Sequence, residues 1–276
     1  MGNTLFLYDA TDAARQTVQI MASIASMSKY MTYTAEAIPV GKYSRIICVL
    51  TAQTDHAAAA AILQQHTARQ KIGIVGVNLA EAAWQTICRH LEQQLGDALV
   101  FTACVHDAAD TEEIIRAGEQ LRALDSVPTA QDAQVLAAIE AFLQQHNTCA
   151  LATGHDNLVR ATPIEYIYDN QTLYIFSEGG QKFANLYRNP QVSLTVFDAY
   201  EGLETLAGLQ IDGRCRMIEP DEPKYRTIAA AKGLTQERLA AMPVMLHIVE
   251  IEPVSAVFLW AGFLKIGKAI RQSYRF

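Results

Sequence analysis

Three polar side chains in the second half of the sequence have the types and spacing to hold a phosphate. Arg160 opens the stretch "RATPI", and Ser177 and Lys182 fall in "SEGGQKFANLYRNP", a glycine-marked turn that leads into a helical pattern. Arginine offers a planar fork of donors and lysine a compact point charge, so the two can converge on one dianion from neighbouring segments. Ser177, Gln181 and the backbone around Gly179 and Gly180 can add donors without crowding the ligand, because glycine carries no side chain. Taken alone, Lys182 reads as a solvated loop lysine; with Arg160 and the surrounding pattern it reads as half of a phosphate clamp. The sequence shows no His/Asp/Ser arrangement and no metal-ligand spacing. His155 in "TGHDN" reads as a solvent-facing turn residue. His247 in "MLHIVEI" reads as a wall residue, set opposite Leu246 and Ile248 by the strand period of two.

The composition bounds what can surround such a site. With 276 residues, half of them hydrophobic and 18% charged, the chain is long enough for two domains, each with a sizeable core. A formal charge of −7 disfavours nucleic acid as a partner, since a phosphate backbone calls for a basic face. Lys265, Lys268, Arg271 and Arg275 gather at the end without an acidic neighbour. They read as a solvated tail, with docking on an anionic ligand or a partner subunit as the alternative. The five cysteines are scattered and never form a C-x-x-C pair, which argues against a disulfide framework or a structural zinc. Cys48 and Cys149 lie inside apolar runs and read as buried small hydrophobes. No basic region followed by an apolar stretch opens the chain. No run approaches the ~20 apolar residues of a membrane helix. The expectation is a soluble, cytoplasmic protein without a membrane partner.

Two rhythms divide the chain. In residues 1–124, "TLFLY", "RIICVL", "KIGIVGV" and "ALVFTACV" alternate with helical patterns, which predicts a doubly wound α/β domain with a parallel sheet. The first helix carries a stripe of Ile20, Ile24 and Met27 flanked by Val18 and Met21, and Thr111 reads as the N-cap of the last. Residues 125–132, inside "LDSVPTAQD", read as the linker. Residues 133–276 open with one amphipathic helix and then turn to strands. These are "TCALATG", "RATPIEYIYD", "TLYIFS", "VSLTVFD", "LAGLQIDGRCRMIEP" and "VMLHIVEIEPVSAVFLW", with Asp169 and Asn170 as a hairpin bend. This predicts a small antiparallel barrel.

The first 124 residues resemble a flavodoxin-like domain in strand–helix order. Its first turn, "YDATDAARQ", has no glycine, and Asp9 and Asp12 would repel a phosphate, so Thr11 or Asp12 reads as an ordinary N-cap. The second half resembles the pyridoxamine 5'-phosphate oxidase-like family of FMN-binding split barrels over about residues 133–260. The likeness lies in an ordered set of parts: an initial helix, "ALAT", a hairpin, Arg160 in "RATPI", "LYIFS", Lys182 in "GGQKFANL", "NPQVSLTV", and "LQIDGRCRMIEP" with a small residue before a strand bend. The resemblance implies FMN, with Arg160 and Lys182 on the phosphate and Ser177 and Gln181 adding hydrogen bonds. Thr162, Pro163 and Ile164 would lie along the isoalloxazine ring. Family members often carry Arg or a hydroxyl residue just before the lysine; here the residue is Gln181. The resemblance further implies a homodimer in which Trp260 and Lys265 line the partner's site. The implied activity is an oxidoreductase moving hydride or electrons between FMN and a small molecule. Two alternatives stand on the same barrel: a haem-binding or haem-utilisation protein with His247 as axial ligand, and a flavin-binding module without turnover.

Overall fold

The computed structural model describes residues 3–33, 40–125 and 131–276. They fall into two compact units, Met1–Val127 and Pro128–Phe276.

In the first unit the apolar runs become strands β1 (Thr4–Tyr8), β3 (Arg45–Leu50), β4 (Lys71–Val77) and β5 (Leu99–Val105). Helices α1 (Asp12–Ala25), α2 (His56–Gln64), α3 (Glu81–Leu95) and α4 (Thr111–Ala123) alternate with them. A further strand, β2 (Ser28–Thr32), pairs with β1, and the parallel sheet runs β2-β1-β3-β4-β5. β2 escapes the sequence pattern because "SKYMT" lies half-exposed at the edge and needs no buried run. β1 and β3 are buried along their whole length, since helices cover both faces of the sheet. Phe6, Ile47 and Val75 pack with α1 and α4, while Leu5, Ile46 and Ile74 pack with α2 and α3. Burying each such side chain fully contributes about 1.5–3 kcal/mol.

Three local expectations are corrected. The buried face of α1 runs through Val18, Met21 and Ala25, not Ile20, Ile24 and Met27, because the helix ends at Ala25 and Met27 lies exposed beyond it. Asp110 caps α4 in place of Thr111, accepting from the Glu112 N–H. Thr11 caps α1, as one of the two readings had it. The expected linker lies outside the described residues except at its ends. There, Asp125 pairs with the buried Arg45, and Asp132 accepts from the Gln134 and Val135 N–H groups.

The second unit opens with helix α5 (Ala133–Gln145). Strands β6 (Thr148–His155), β7 (Leu158–Asp169) and β8 (Thr172–Ser177) follow, then α6 (Gln181–Arg188), β9 (Gln191–Phe197) and β10 (Ala207–Ile218). Helices α7 (Pro223–Ala231) and α8 (Gln236–Ala241), long strand β11 (His247–Trp260) and β12 (Arg271–Arg275) complete it. Six antiparallel strands close in the order β10-β9-β6-β7-β8-β11, with β11 pairing back to β10. Leu151, Ile175, Leu194, Ile211, Val249 and Phe258 fill the interior, and α5 adds Val135, Ile139, Phe142 and Leu143. The β7–β8 bend is made by Asn170 and Gln171, both at positive φ, not by Asp169, which still pairs with Thr172. Two left-handed residues are what a two-residue hairpin of this twist requires.

The basic C-terminus is not a free tail. β12 pairs with β11, and Lys268 is hydrogen-bonded to Asp132 at the start of α5. Cys48 and Cys149 are buried, and burial pushes both thiols up to about 12. No helix among the described residues is long and apolar enough to cross a membrane.

The anticipated bend in β10 falls at Gly213. The register with β11 shifts between Asp212 and Gly213, so Val254 is left as the extra residue opposite them. A Cβ at Gly213 would stand 2.7 Å from the Glu252 carbonyl oxygen, which is backbone and cannot step aside. Gly213→Ala is therefore expected to cost the barrel about 1–3 kcal/mol. Native-state hydrogen exchange of the β10 and β11 amides would read it as faster exchange; unchanged protection would show that the bulge has room.

Candidate functional site

The polar cluster sits where β8 ends and α6 begins. After Ser177 the chain reverses through Gly179 (φ 131°) and Gly180 (φ 110°), a backbone path that side-chain-bearing residues rarely take. The space before this turn is open: a Cβ at Gly179 would meet nothing within 4 Å, and one at Gly180 only the Lys182 Nζ at 3.8 Å. The Gly179 carbonyl accepts from Lys182 Nζ (2.7 Å) and from the Ser177 hydroxyl (3.1 Å), which in turn accepts from the Gly179 N–H (3.2 Å). No side chain caps the N-terminus of α6; the Phe183 N–H bonds the Gly180 carbonyl (3.1 Å), and those of Gln181 and Lys182 have no acceptor within the helix.

Lys182 is 7% exposed, against the expectation of a solvated loop lysine for this residue alone. Helix α6 seats Phe183, Asn185 and Leu186 on the barrel and draws the lysine in with them. Burial holds the Lys182 pKa below the usual lysine range; Glu178 works against that shift, and the positive charge of Arg160 adds to it. The fold thus brings the two cations into electrostatic range. Neither forms an ion pair among the described residues.

Arg160 lies on exposed β7 and pairs in register with Thr153 of β6. Thr153 is buried and accepts a 3.1 Å hydrogen bond from the Asn185 side chain, which fastens α6 to β6. Sequence reading passed over this bond, because its partners stand 32 residues apart and Thr153 lies outside the glycine-marked stretch that holds Asn185. The alternation of β7 separates the other expected contacts. Thr162 and Ile164 turn to the same side as Arg160, Ile164 packing against the core and the Thr162 hydroxyl oxygen buried with no partner among the described residues. Pro163 is exposed on the opposite face. Gln181 is exposed in the first turn of α6.

His247 lies exposed at the start of β11, in register with Ser177, its ring centroid 5.1 Å from that of Phe183. The expected wall residue is thus at the edge of the polar turn. His155 is not solvent-facing: its side chain is 16% exposed and its Nδ1 stands 3.1 Å from the Asp156 carboxylate. Trp260 and Lys265 line a different cleft of about 380 Å³, together with Asp198, Glu204 and Gly262. None of Arg160, Ser177, Gln181 and Lys182 lines it. Among the described residues no His, Cys, Asp and Glu cluster could hold a metal ion.

A closed six-stranded barrel carrying this turn defines a split-barrel domain. Residues 135–259 match the family model described as pyridoxamine 5'-phosphate oxidase. Solved structures with a similar barrel include a Listeria innocua protein provisionally assigned as a pyridoxamine 5'-phosphate oxidase. It is 24% identical, with 45% of this chain and 98% of that one covered and a TM-score of 0.38. An FAD-binding protein from Mesorhizobium loti is 21% identical over 44% of this chain and 90% of its own, with a TM-score of 0.37. The haem storage protein HutZ from Vibrio cholerae is 21% identical over 42% and 88%, with a TM-score of 0.36. No curated protein matches the chain.

The Thr153–Asn185 bond makes a prediction of its own. Asn185→Leu leaves the buried Thr153 hydroxyl without its donor and should cost about 1–3 kcal/mol. Adding Thr153→Val should recover part of that loss, because the two side chains act as one pair. Urea unfolding of the two single variants and the double variant checks this, and simple additivity would show that the bond does not couple α6 to β6.

Proposed function

We propose that the second unit binds FMN through the β8–α6 turn and passes hydride or electrons between it and a small molecule. The observation that carries this reading is the state of Lys182. Three charged residues of the described chain are buried: Arg45, Lys182 and Glu250. Arg45 pairs with Asp125, and Glu250 with Arg216 and Lys224, whereas Lys182 has no carboxylate partner among the described residues and feels the charge of Arg160. A dianion seated there would receive the Lys182 ammonium, the Arg160 fork and the Gln181 and Lys182 N–H groups at the start of α6, and the Ser177 hydroxyl once it turns from the Gly179 carbonyl. The residues fit a flavin phosphate, and the bound isoalloxazine would supply the redox chemistry. The chain's own work is to hold the phosphate, to lay β7 beside the ring with Pro163 outward, and to keep water from the buried lysine.

Trp260 and Lys265 enter this reading through a second copy of the chain. His247 and Trp260 end the same strand, and thirteen steps at about 3.3 Å make roughly 40 Å of strand between the Lys182 turn and the Trp260 cleft. One small ligand does not span that within a chain, so a homodimer is the arrangement in which both serve one flavin. A haem reading rests on a separate observation, the exposed His247 ring against Phe183 beside the same turn. A visible spectrum of the purified protein separates the two, since a Soret band would displace the flavin reading.

Lys182→Ala and Arg160→Ala should each remove a charge-assisted hydrogen bond of about 1.5–3 kcal/mol, or roughly 10- to 100-fold in FMN affinity. Fluorescence titration checks this, and unchanged affinity in both variants would sink the proposal. The pH profile gives a second test. The phosphate needs the ammonium form, and the Lys182 pKa is lowered by burial, so affinity should fall on the alkaline side before an ordinary lysine would titrate. Lys182→Arg should extend the plateau upward, because a guanidinium stays charged.

A further inference from the structure

The sheet of the first unit has its switch point between β1 and β3, from which the chain runs out to β2 on one side and to β4 on the other. A doubly wound sheet of this order receives ligands there, in the crevice beyond the carboxyl ends of the strands. In this protein the crevice holds a side chain. Asp9 directly follows β1, and one of its oxygens accepts from the Thr11 N–H (3.1 Å) and the Thr11 hydroxyl. Its other oxygen accepts from the hydroxyls of Thr51 (2.5 Å) and Thr54 (2.7 Å), in the connection between β3 and α2. That connection is drawn tight by the Thr51 N–H on the Thr54 hydroxyl (2.8 Å) and the Gln53 N–H on the Thr51 hydroxyl (3.1 Å).

Three hydroxyls and one amide from two loops therefore converge on one carboxylate. Such a donor set suits an oxyanion, and a carboxylate with about four lone-pair sites uses all of it. We infer that Asp9 is the built-in occupant of this crevice, standing where an external oxyanion would sit and closing the first unit to a flavin phosphate and to inorganic phosphate alike. An incoming phosphate would have to strip four donors from Asp9 and then face its charge. Asp12, exposed in the first turn of α1, is paired with Arg15 (3.4 Å) and leaves the closure to Asp9. Burial works to raise the Asp9 pKa, but the hydrogen bonds from Thr11, Thr51 and Thr54 outweigh it, so the carboxyl lies below its usual range and stays charged at neutral pH.

The inference stands apart from the FMN reading of the second unit, and its test keeps them apart. Inorganic phosphate is titrated into the full chain while the amide resonances of Thr11, Gln53 and Thr54 are followed by NMR. In the wild type these amides should not respond. In Asp9→Ser, which removes the charge and opens space among the same donors, they should shift and saturate, with an affinity at least tenfold above any wild-type response. Responding amides in the wild type, or silent ones in an Asp9→Ser chain whose near-ultraviolet dichroism is native, would overturn the closure. If Asp9→Ser does not fold, the FMN stoichiometry of the wild type decides. A ratio of at most one per chain supports the closure and two overturns it, while zero would defeat the FMN reading and leave the closure standing.

Discussion

Seating α6 on the barrel is the constraint from which the second unit's chemistry follows. Phe183, Asn185 and Leu186 must be buried for the helix to pack, and the helical period carries Lys182 inward on the same side. Removing an ammonium from water costs free energy, and the Gly179 carbonyl offsets part of that cost by accepting its hydrogen bond. The carbonyl reaches Nζ only because the chain reverses within two residues, and that reversal requires positive φ at Gly179 and Gly180. The double glycine, the lysine and the apolar helix face are thus one device.

The barrel holds Arg160 in register with Thr153, the residue to which α6 is bonded through Asn185. Closure leaves the six barrel strands paired on both sides, and the cost of closing falls on β11, which changes partners along its length. Its first residues pair with β8 and its last with β12, while β10 runs along its other side throughout. The change comes at Pro253 and Val254. Proline there has no N–H to leave unpaired, and Gly213 opposite lets the two backbones approach. One bulged strand therefore sets both the His247 edge of the polar turn and the Trp260 cleft.

What the sequence made legible follows from what burial imprints on it. The fully buried strands β1 and β3, the nearly buried β4 and most barrel strands leave apolar runs, and those runs lie within a residue or three of the observed bounds. β2 leaves none, because an edge strand can be half-exposed. Arg160 and Lys182 stand out in the sequence because glycines and charge mark them locally. The burial of Lys182 was not legible there, since it depends on how α6 docks, and docking is decided by residues far along the chain such as Thr153. His155 was misread for the same reason: a turn-like tetrapeptide says nothing about what packs over the ring. Thr51 and Thr54 gave no signal beside Asp9, because over forty residues separate them from it and only the parallel pairing of β1 with β3 brings them together.

The two units treat the same electrostatic problem in opposite ways. In the first, a crevice rich in donors is satisfied by a carboxylate of the chain itself. Elsewhere the chain also neutralises what it buries, pairing Arg45 with Asp125 and Glu250 with Arg216 and Lys224. An acidic side chain turned onto Lys182 would have been an equally available solution, and Glu178 is near enough to be felt by its charge. Yet Glu178 stays exposed and unpaired with the lysine, while a second cation is held nearby. Leaving like charges together in a partly desolvated turn destabilises the folded state by itself, a cost that the proposed phosphate would offset. The contrast is thus between a carboxylate whose donors all come from the chain and a buried ammonium whose one hydrogen-bond partner among the described residues is the Gly179 carbonyl.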